Sequence, residues 1–146
     1  MTDDGIGVVR DMARGFKQSM LLKTAVELGV FTHIHDGAVT TEAVAERADA
    51  DADATELLLN ALVAADLLEK ADGTYRNTEI ADAHLVEGAP AYQGDYVEYT
   101  TSTVPYFMDL PENVRRGHAP EGAFEDLLGG DETLTKKFFG AMHANA

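Results

Sequence analysis

The sequence has no cysteine and no tryptophan among its 146 residues, and only 11 basic side chains stand against 26 acidic ones. Without cysteine there is no disulfide, no thiolate zinc site and no cysteine nucleophile. This composition suits a reducing cytoplasm, where we expect the protein to reside. The length is that of a single domain with room for one hydrophobic core.

Long hydrophobic runs are missing as well. The most apolar stretch, 57–68, is interrupted by Asn60 and Asp66 and is too short to span a bilayer. The first ten residues contain Asp3, Asp4 and Arg10 and no apolar run of the kind a signal peptide needs. We therefore expect a soluble protein with no membrane partner.

The net charge of −15 is spread evenly along the chain. Residues 1–73 hold 14 acidic and 6 basic side chains (net −8), and residues 74–146 hold 12 and 5 (net −7). An even distribution indicates an acidic surface and not an acidic tail. Ordinary solubility and adaptation to high salt both explain it, and 5 Lys against 14 Asp favours the halophilic explanation.

The first segment has the spacing of an amphipathic helix. Apolar residues recur every three or four positions from Val8 to Leu28, and Gly29 is the expected C-terminal stop, with Val30 and Phe31 packing back on the last turn. The apolar stripe is wider than one buried face needs. A second partner, either another domain or another subunit, would explain this width, and an ordinary core helix is the alternative.

The next segments predict two helices and a hairpin. Thr40 caps a short helix to Ala48, and Asp53 opens a longer one with Glu56 three residues on as its capping-box partner. Asp72-Gly73 lies between two short extended runs, which is a strong signal for a two-residue hairpin turn. Helix, helix and hairpin in this order form the outline of a winged helix.

Helices are also predicted for the second half, so the expected fold class is mainly α. Thr78 caps a helix to Leu85, and the aromatic stretch 92–108 forms a helix broken near Pro105. A Gly- and Pro-rich loop follows from Pro111 to Gly122. Asp131 then opens a final helix to about Ala144, with an apolar stripe at Leu134, Phe138 and Met142.

No catalytic or metal-binding set stands out. The five histidines are not spaced as metal ligands, and neither serine lies in a nucleophile-elbow context. DNA binding is disfavoured by charge, because residues 48–69 contain six acids and no Lys or Arg. The outward face of the second winged-helix helix would present Glu56, Asn60 and Ala64, so we expect a packing module without a nucleic-acid partner.

Three segments of the chain form a recognisable series: 21–31 (LLKTAVELGVF), 39–45 (VTTEAVA) and 57–68 (LLLNALVAADLL). In order and spacing they resemble the N-terminal dimerisation domain of S-adenosylmethionine-dependent O-methyltransferases, the relatives of caffeate, acetylserotonin and hydroxyneurosporene methyltransferases. Weaker matches continue at Tyr75, Thr78, 85–88 and 123–125, so the resemblance covers roughly residues 16–146.

The resemblance implies a homodimer and a part in a substrate pocket. It divides the chain into a dimerisation helix (8–36), a winged helix (37–88) and a substrate-lid segment (89–146). The implied acceptor is a small aromatic or apolar molecule, although a plain core stripe also explains the last helix. The implied dimer-interface residues are Val9, Met12, Phe16 and Met20, and the implied pocket residues are Leu134, Phe138, Met142, Tyr92 and Tyr96.

The resemblance also implies that the catalytic, Rossmann-like domain is absent from this chain. In the family, that domain binds S-adenosylmethionine and supplies the catalytic base, and His143 does not correspond to this base. We therefore expect the chain to bind no cofactor and to be inactive alone, as a piece cut at a domain boundary, a truncated gene product or a stand-alone relative. A winged-helix transcriptional regulator and a dimeric binder of apolar ligands are the alternatives.

Overall fold

The computed structural model describes residues 5–118, 135–136, 139–140 and 142. Helices dominate these residues, and the one sheet they contain is an antiparallel hairpin, which confirms the predicted mainly helical fold. The chain forms two compact units, 1–78 and 79–146. The first unit contains α1 (Ile6–Glu27), α2 (Val30–His35), α3 (Thr41–Arg47), α4 (Ala52–Ala64), β1 (Leu68–Ala71) and β2 (Thr74–Asn77). The second contains α5 (Glu79–His84), α6 (Gly94–Ser102), α7 (Val104–Met108) and α8 (Leu110–Arg116).

The end of α1 is set by Gly29, as the sequence predicts. Gly29 has a left-handed backbone with φ of 63°, and its N–H donates to the carbonyl of Val26 at 3.0 Å. This bond satisfies a carbonyl of the last turn before the chain changes direction. Val30 and Phe31 are both buried, but they form the start of α2, a helix that the sequence pattern did not predict.

The predicted start of α3 is confirmed, and that of α4 is wrong. The Thr40 hydroxyl accepts from the N–H of Ala43 at 3.3 Å, as expected of a cap. At α4 the cap is Asp51 and not Asp53, because the Asp51 carboxylate accepts from the N–H of Ala54 at 2.9 Å. A cap needs an extended backbone, which Asp51 has, whereas Asp53 already lies in the first helical turn, where its charge interacts favourably with the helix dipole.

The hairpin turn is the one that the Asp-Gly pair predicts. Asp72 and Gly73 have φ of 50° and 76°, the two positive values of a type I′ turn, and β1 and β2 pair antiparallel around them. Leu68 and Tyr75 are the buried residues of the two strands. They complete a core to which α1 contributes its C-terminal end, and whose largest members also include Val30, Phe31, Val44, Leu59 and Leu62.

The second unit differs from its prediction at Pro111. The aromatic helix breaks near Pro105 as expected, between α6 and α7. Pro111, however, lies in the first turn of α8 and not in a loop. A proline does not weaken the first turn of a helix, since an N–H at that position would have no helical partner. At the other end, Gly117 terminates the helix with φ of 82°. Across the described parts of the chain, no helix has both the length and the apolarity that a bilayer crossing requires.

Candidate functional site

The N-terminal half of α1 exposes most of its apolar side chains. Val9 is 67% exposed, Met12 81% and Phe16 63%, while Met20 is partly buried. These are the four residues predicted to form a dimer interface. The structure therefore leaves three of them uncovered by this chain.

The apolar side chains of α1 spread over more than one face of the helix. Ala25 and Val26 are buried, near the end where α1 packs against α2 and α4. Phe16 lies nine residues before Ala25, or about two and a half turns at 3.6 residues per turn, so the two side chains point to opposite sides of the helix. Val26, however, lies ten residues after Phe16 and fourteen after Met12, which puts it only about 80° and about 40° round the helix from them. The exposed stripe therefore adjoins the core-facing side, and the two together cover more than half of the helix circumference. This explains why the apolar pattern is wider than one buried face needs.

The hairpin is fixed to α4 by a polar cluster around Asn60. The amide oxygen of Asn60 accepts from the hydroxyl of buried Tyr75 at 3.0 Å and from the ammonium of Lys70 at 3.0 Å. Lys70 also lies 4.8 Å from the centre of the Tyr75 ring and 3.5 Å from a carboxylate oxygen of Glu56. The Tyr75 side chain, and then Glu56, raise the pKa of Lys70 above its usual value.

This cluster occupies the outward side of α4, which is the surface that would have to contact DNA if the chain were a DNA-binding protein. Glu56 and Asn60 belong to the α4 side considered for DNA, and Lys70 is one of the two basic residues of the hairpin. Lys70 and Tyr75 are direct cross-strand partners, so one contact region ties both strands to α4. The polar residues of this surface therefore hold the hairpin in place.

In the second unit, Tyr92 lies against the start of α6. A side chain on Gly94 would overlap the Tyr92 ring, so glycine is what allows this close packing. Burial raises the pKa of Tyr92, and the negative charges of Asp95 and Glu87 raise it further. Both effects favour the protonated hydroxyl, which is the form that donates a hydrogen bond. Tyr96, the other predicted pocket tyrosine, is 42% exposed.

The last described helical residues approach α6 at Asp95. A Cβ added to Gly140 would lie 3.1 Å from the Cβ of Asp95, so the two backbones come close at this point. Met142, a predicted pocket residue, is exposed. Leu134 and Phe138, the other two predicted pocket residues on this helix, lie outside the described residues.

One exposed apolar cluster was not predicted. Pattern reading assigned the region after Pro111 to a loop and so missed the helical face of α8, although the apolar spacing from Phe107 to Val114 carries that signal. The cluster consists of Phe107, Met108, Leu110 and Val114. Among the described residues there is no group of three His, Asp or Glu side chains able to hold a metal ion.

A family model described as the O-methyltransferase dimerisation domain matches residues 10–87, which is more than half of the chain. The chain belongs to this family. The match confirms the resemblance and includes most of α1, the helix–helix–hairpin region and α5. Membership in the family also favours the interpretation of the chain as a methyltransferase dimerisation domain over its interpretation as a transcriptional regulator.

Curated relatives of this dimerisation-domain chain are methyltransferases. It is 36% identical over 109 residues to 3-hydroxy-5-methyl-1-naphthoate 3-O-methyltransferase of Streptomyces sahachiroi, covering 74% of this chain and 32% of the relative. It is 33% identical over 144 residues to the tetracenomycin polyketide synthesis 8-O-methyl transferase TcmO of Streptomyces glaucescens, covering 96% and 42%. The chain thus spans less than half the length of these relatives.

Solved structures show the same fold. Human N-acetylserotonin methyltransferase in complex with S-adenosylmethionine has a TM-score of 0.84 at 29% identity, over 98% of this chain and 46% of that one. An O-methyltransferase from neocarzinostatin biosynthesis, solved with S-adenosylmethionine and 2-hydroxy-5-methyl naphthoic acid, has a TM-score of 0.73 at 27% identity, over 88% and 42%.

Proposed function

We propose that this chain is the dimerising and substrate-facing part of an S-adenosylmethionine-dependent O-methyltransferase for small aromatic or apolar acceptors. It works as a homodimer, with residues 8–36 as the dimerisation segment, 37–88 as a winged-helix packing module and 89–146 as the substrate lid. The observation that carries this proposal is the uncovered apolar face of α1 in a chain of the dimerisation-domain family.

A second copy is the natural occupant of that face. In a two-fold dimer the same surface patch serves both subunits, so each copy offers the other an equivalent apolar helix. Full burial of a side chain such as Met12 or Phe16 contributes about 1.5–3 kcal/mol, and each occurs twice in a dimer. The four side chains together contribute about 6–12 kcal/mol, which is comparable to the roughly 4–15 kcal/mol of entropy lost on association. Val9 and Met20 extend the face on either side of these two.

The substrate side lies in the second unit. We propose that Tyr92, Tyr96 and Met142 contact the acceptor, together with Leu134 and Phe138. Support comes from the close approach of Gly140 to Asp95, which puts the last helix beside α6. Aromatic rings and a flexible thioether suit a flat apolar acceptor. The relative solved with a naphthoic acid binds a molecule of this class.

The described residues do not fit S-adenosylmethionine. The cofactor needs a glycine-rich loop between a strand of a parallel sheet and a helix. The strands of the described residues form an antiparallel hairpin, and its turn, Asp72-Gly73, joins two strands. We propose that cofactor binding in the full-length relatives falls to the part of their sequence that this chain does not match.

Sedimentation equilibrium of two matched variants tests the dimer. Phe16→Asp places a carboxylate on the uncovered face, and Leu57→Asp places one on another apolar side chain, 74% exposed, on α4. We expect the wild type and Leu57→Asp to be dimers at micromolar concentration. Phe16→Asp should raise the dissociation constant at least ~100-fold, because one substitution removes two buried rings.

Circular dichroism should show equal helix content in both variants at a concentration where both are monomeric. A wild type that is monomeric throughout this range would refute the proposal. So would a Phe16→Asp variant that dimerises as well as Leu57→Asp.

A further inference from the structure

The charge of α1 is opposite to that of the rest of the molecule. This helix contains four basic residues, Arg10, Arg14, Lys17 and Lys23, and two acidic ones. The other 124 residues hold 7 basic and 24 acidic side chains, a net charge of −17. The uncovered apolar face therefore belongs to a helix of net charge +2, within a chain that is otherwise strongly acidic.

Three of these cations form one line, which we call the basic stripe: Arg10, Arg14 and Lys17. Their spacing of four and three residues puts them on the same side of α1. Arg10 follows Val9 and Lys17 follows Phe16, so each lies about 100° round the helix from an uncovered apolar side chain. Arg10 and Lys17 thus flank the uncovered face along one edge, and Arg14 lies farther round the helix, on the side of Ala25.

The basic stripe also differs from the other cations in its contacts. Within residues 5–118, no polar contact of Arg10, Arg14 or Lys17 is found. Over the same range, oxygen partners are found for Lys23, Arg47, Lys70, Arg76, Arg115 and Arg116. The cations of the exposed N-terminal half of α1 are therefore the ones left without a partner in that part of their own chain.

We infer that the basic stripe binds exposed carboxylates of a second copy of this chain and thereby orients the dimer. This inference rests on the proposed homodimer. Two chains of charge −15 repel each other, so an interface edge of the opposite sign favours the encounter in which α1 meets the partner. Exposed carboxylates without an ion pair in the described part of the first unit include Asp49, Asp53, Asp66 and Asp72.

Two triple variants of equal charge separate this local attraction from the general repulsion. The first removes the basic stripe by Arg10→Gln, Arg14→Gln and Lys17→Gln. The control removes three cations from outside α1 by Arg76→Gln, Arg115→Gln and Lys136→Gln. Both variants carry −18, so long-range repulsion is the same in each. At about 0.1 M NaCl, the stripe variant should have a dissociation constant roughly 30-fold above that of the control, since exposed ion pairs are individually weak but each recurs twice.

Salt should close this gap. The Debye length falls from about 10 Å at 0.1 M to about 3 Å at 1 M, so the two variants should then differ by less than about threefold. If the variants dissociate equally at low salt while the wild type is a dimer, the inference is wrong and the dimer stands. If the wild type is a monomer, the proposed function fails first.

A zero-length carbodiimide cross-link identifies the partner of the stripe. In a mixed dimer of ¹⁴N and ¹⁵N chains, we expect amide links from Lys17 to carboxylates of the other isotope. Links from Lys17 confined to its own chain would overturn the inference. A basic amphipathic helix is also typical of membrane-surface binding. Retention on phosphatidylserine vesicles that dissociates the dimer and depends on the stripe would overturn it in favour of a lipid surface.

Discussion

The two halves of α1 belong to one continuous helix but differ in whether their apolar side chains are buried within their own unit. In the C-terminal half, Ala25 is fully buried and Val26 is 8% exposed, both within the core of their own unit. In the N-terminal half, Met12 and Phe16 are largely exposed, and Phe16 lies on the opposite side of the helix from Ala25. One half is part of the folded unit, and the other presents a surface for assembly.

The difference shows what an overly wide apolar stripe means. With 22 residues, α1 is about 33 Å long. Its buried residues, Ala25 and Val26, lie in the last turn, so most of this length extends beyond the packed end. A helical segment of about 15 residues without tertiary contacts is only marginally stable in water. The N-terminal half therefore depends on whatever covers it, whereas the C-terminal half depends on the core.

The largest expected effect is a difference in unfolding free energy between substitutions in the two halves of α1. Ala25→Asp puts a carboxylate into a fully buried site, and we expect it to lower the free energy of unfolding by about 3–5 kcal/mol. Gln18→Asp adds the same charge at an exposed position in the N-terminal half of α1, and it should change the free energy of unfolding by less than about 0.5 kcal/mol. Urea unfolding followed by circular dichroism measures both. Equal effects would mean that the two halves are not distinct.

A second substitution tests whether the core can be weakened without harming assembly. Asn60→Ala removes the acceptor of the buried Tyr75 hydroxyl, and we expect a loss of about 2 kcal/mol in unfolding free energy. The dimer dissociation constant should stay within about threefold of the wild-type value, because Asn60 lies on α4.

Tyr75→Phe is the control for this hydrogen bond. It removes the donor together with the need for an acceptor, so it should cost only about 1 kcal/mol, and adding Asn60→Ala to it should cost less than Asn60→Ala alone. Strictly additive losses would show that the Asn60–Tyr75 contact does not fix the hairpin.

The smallest expected effect is a gain in the exposed half. Gly15 lies inside α1, and a Cβ at this position would have no atom within 4 Å apart from its chain neighbours and the nearby backbone of its own helix, so Gly15→Ala meets no steric obstacle. Alanine is the better helix former by about 0.5–1 kcal/mol. We expect a higher helix content by circular dichroism, measured at dilutions where the protein is monomeric. An unchanged or lower helix content would contradict the account of a half that is only marginally helical until a partner covers it.

Local chemistry determined which elements could be predicted from the sequence. Asp72-Gly73 specifies its turn through two positive φ values, and Thr40 and Gly29 mark helix ends in the same local way. The cap of α4 was misassigned because Asp51 and Asp53 are equally good caps in isolation, and only the observed backbone of Asp51 separates them. Pro111 was assigned to a loop because a proline marks either a break or a first helical turn.

The site was predictable only in part, for a different reason. Periodicity identified Val9, Met12 and Phe16 as apolar positions on one helix. It did not show that they lie away from the core, because this depends on the packing of Ala25 and Val26 against α2 and α4. The pairing of Lys70 and Tyr75 with Asn60 was likewise hidden, since it joins residues that are 10 and 15 positions apart.

Hydrogen–deuterium exchange at several protein concentrations tests the central claim most directly, namely that a second copy completes the N-terminal half of α1. The amides of residues 8–20 should become protected as the concentration rises through the dimer dissociation constant. Those of α4 and of the C-terminal end of α1 should be protected at every concentration. Exchange at residues 8–20 that does not change with concentration while sedimentation shows a dimer would contradict the account.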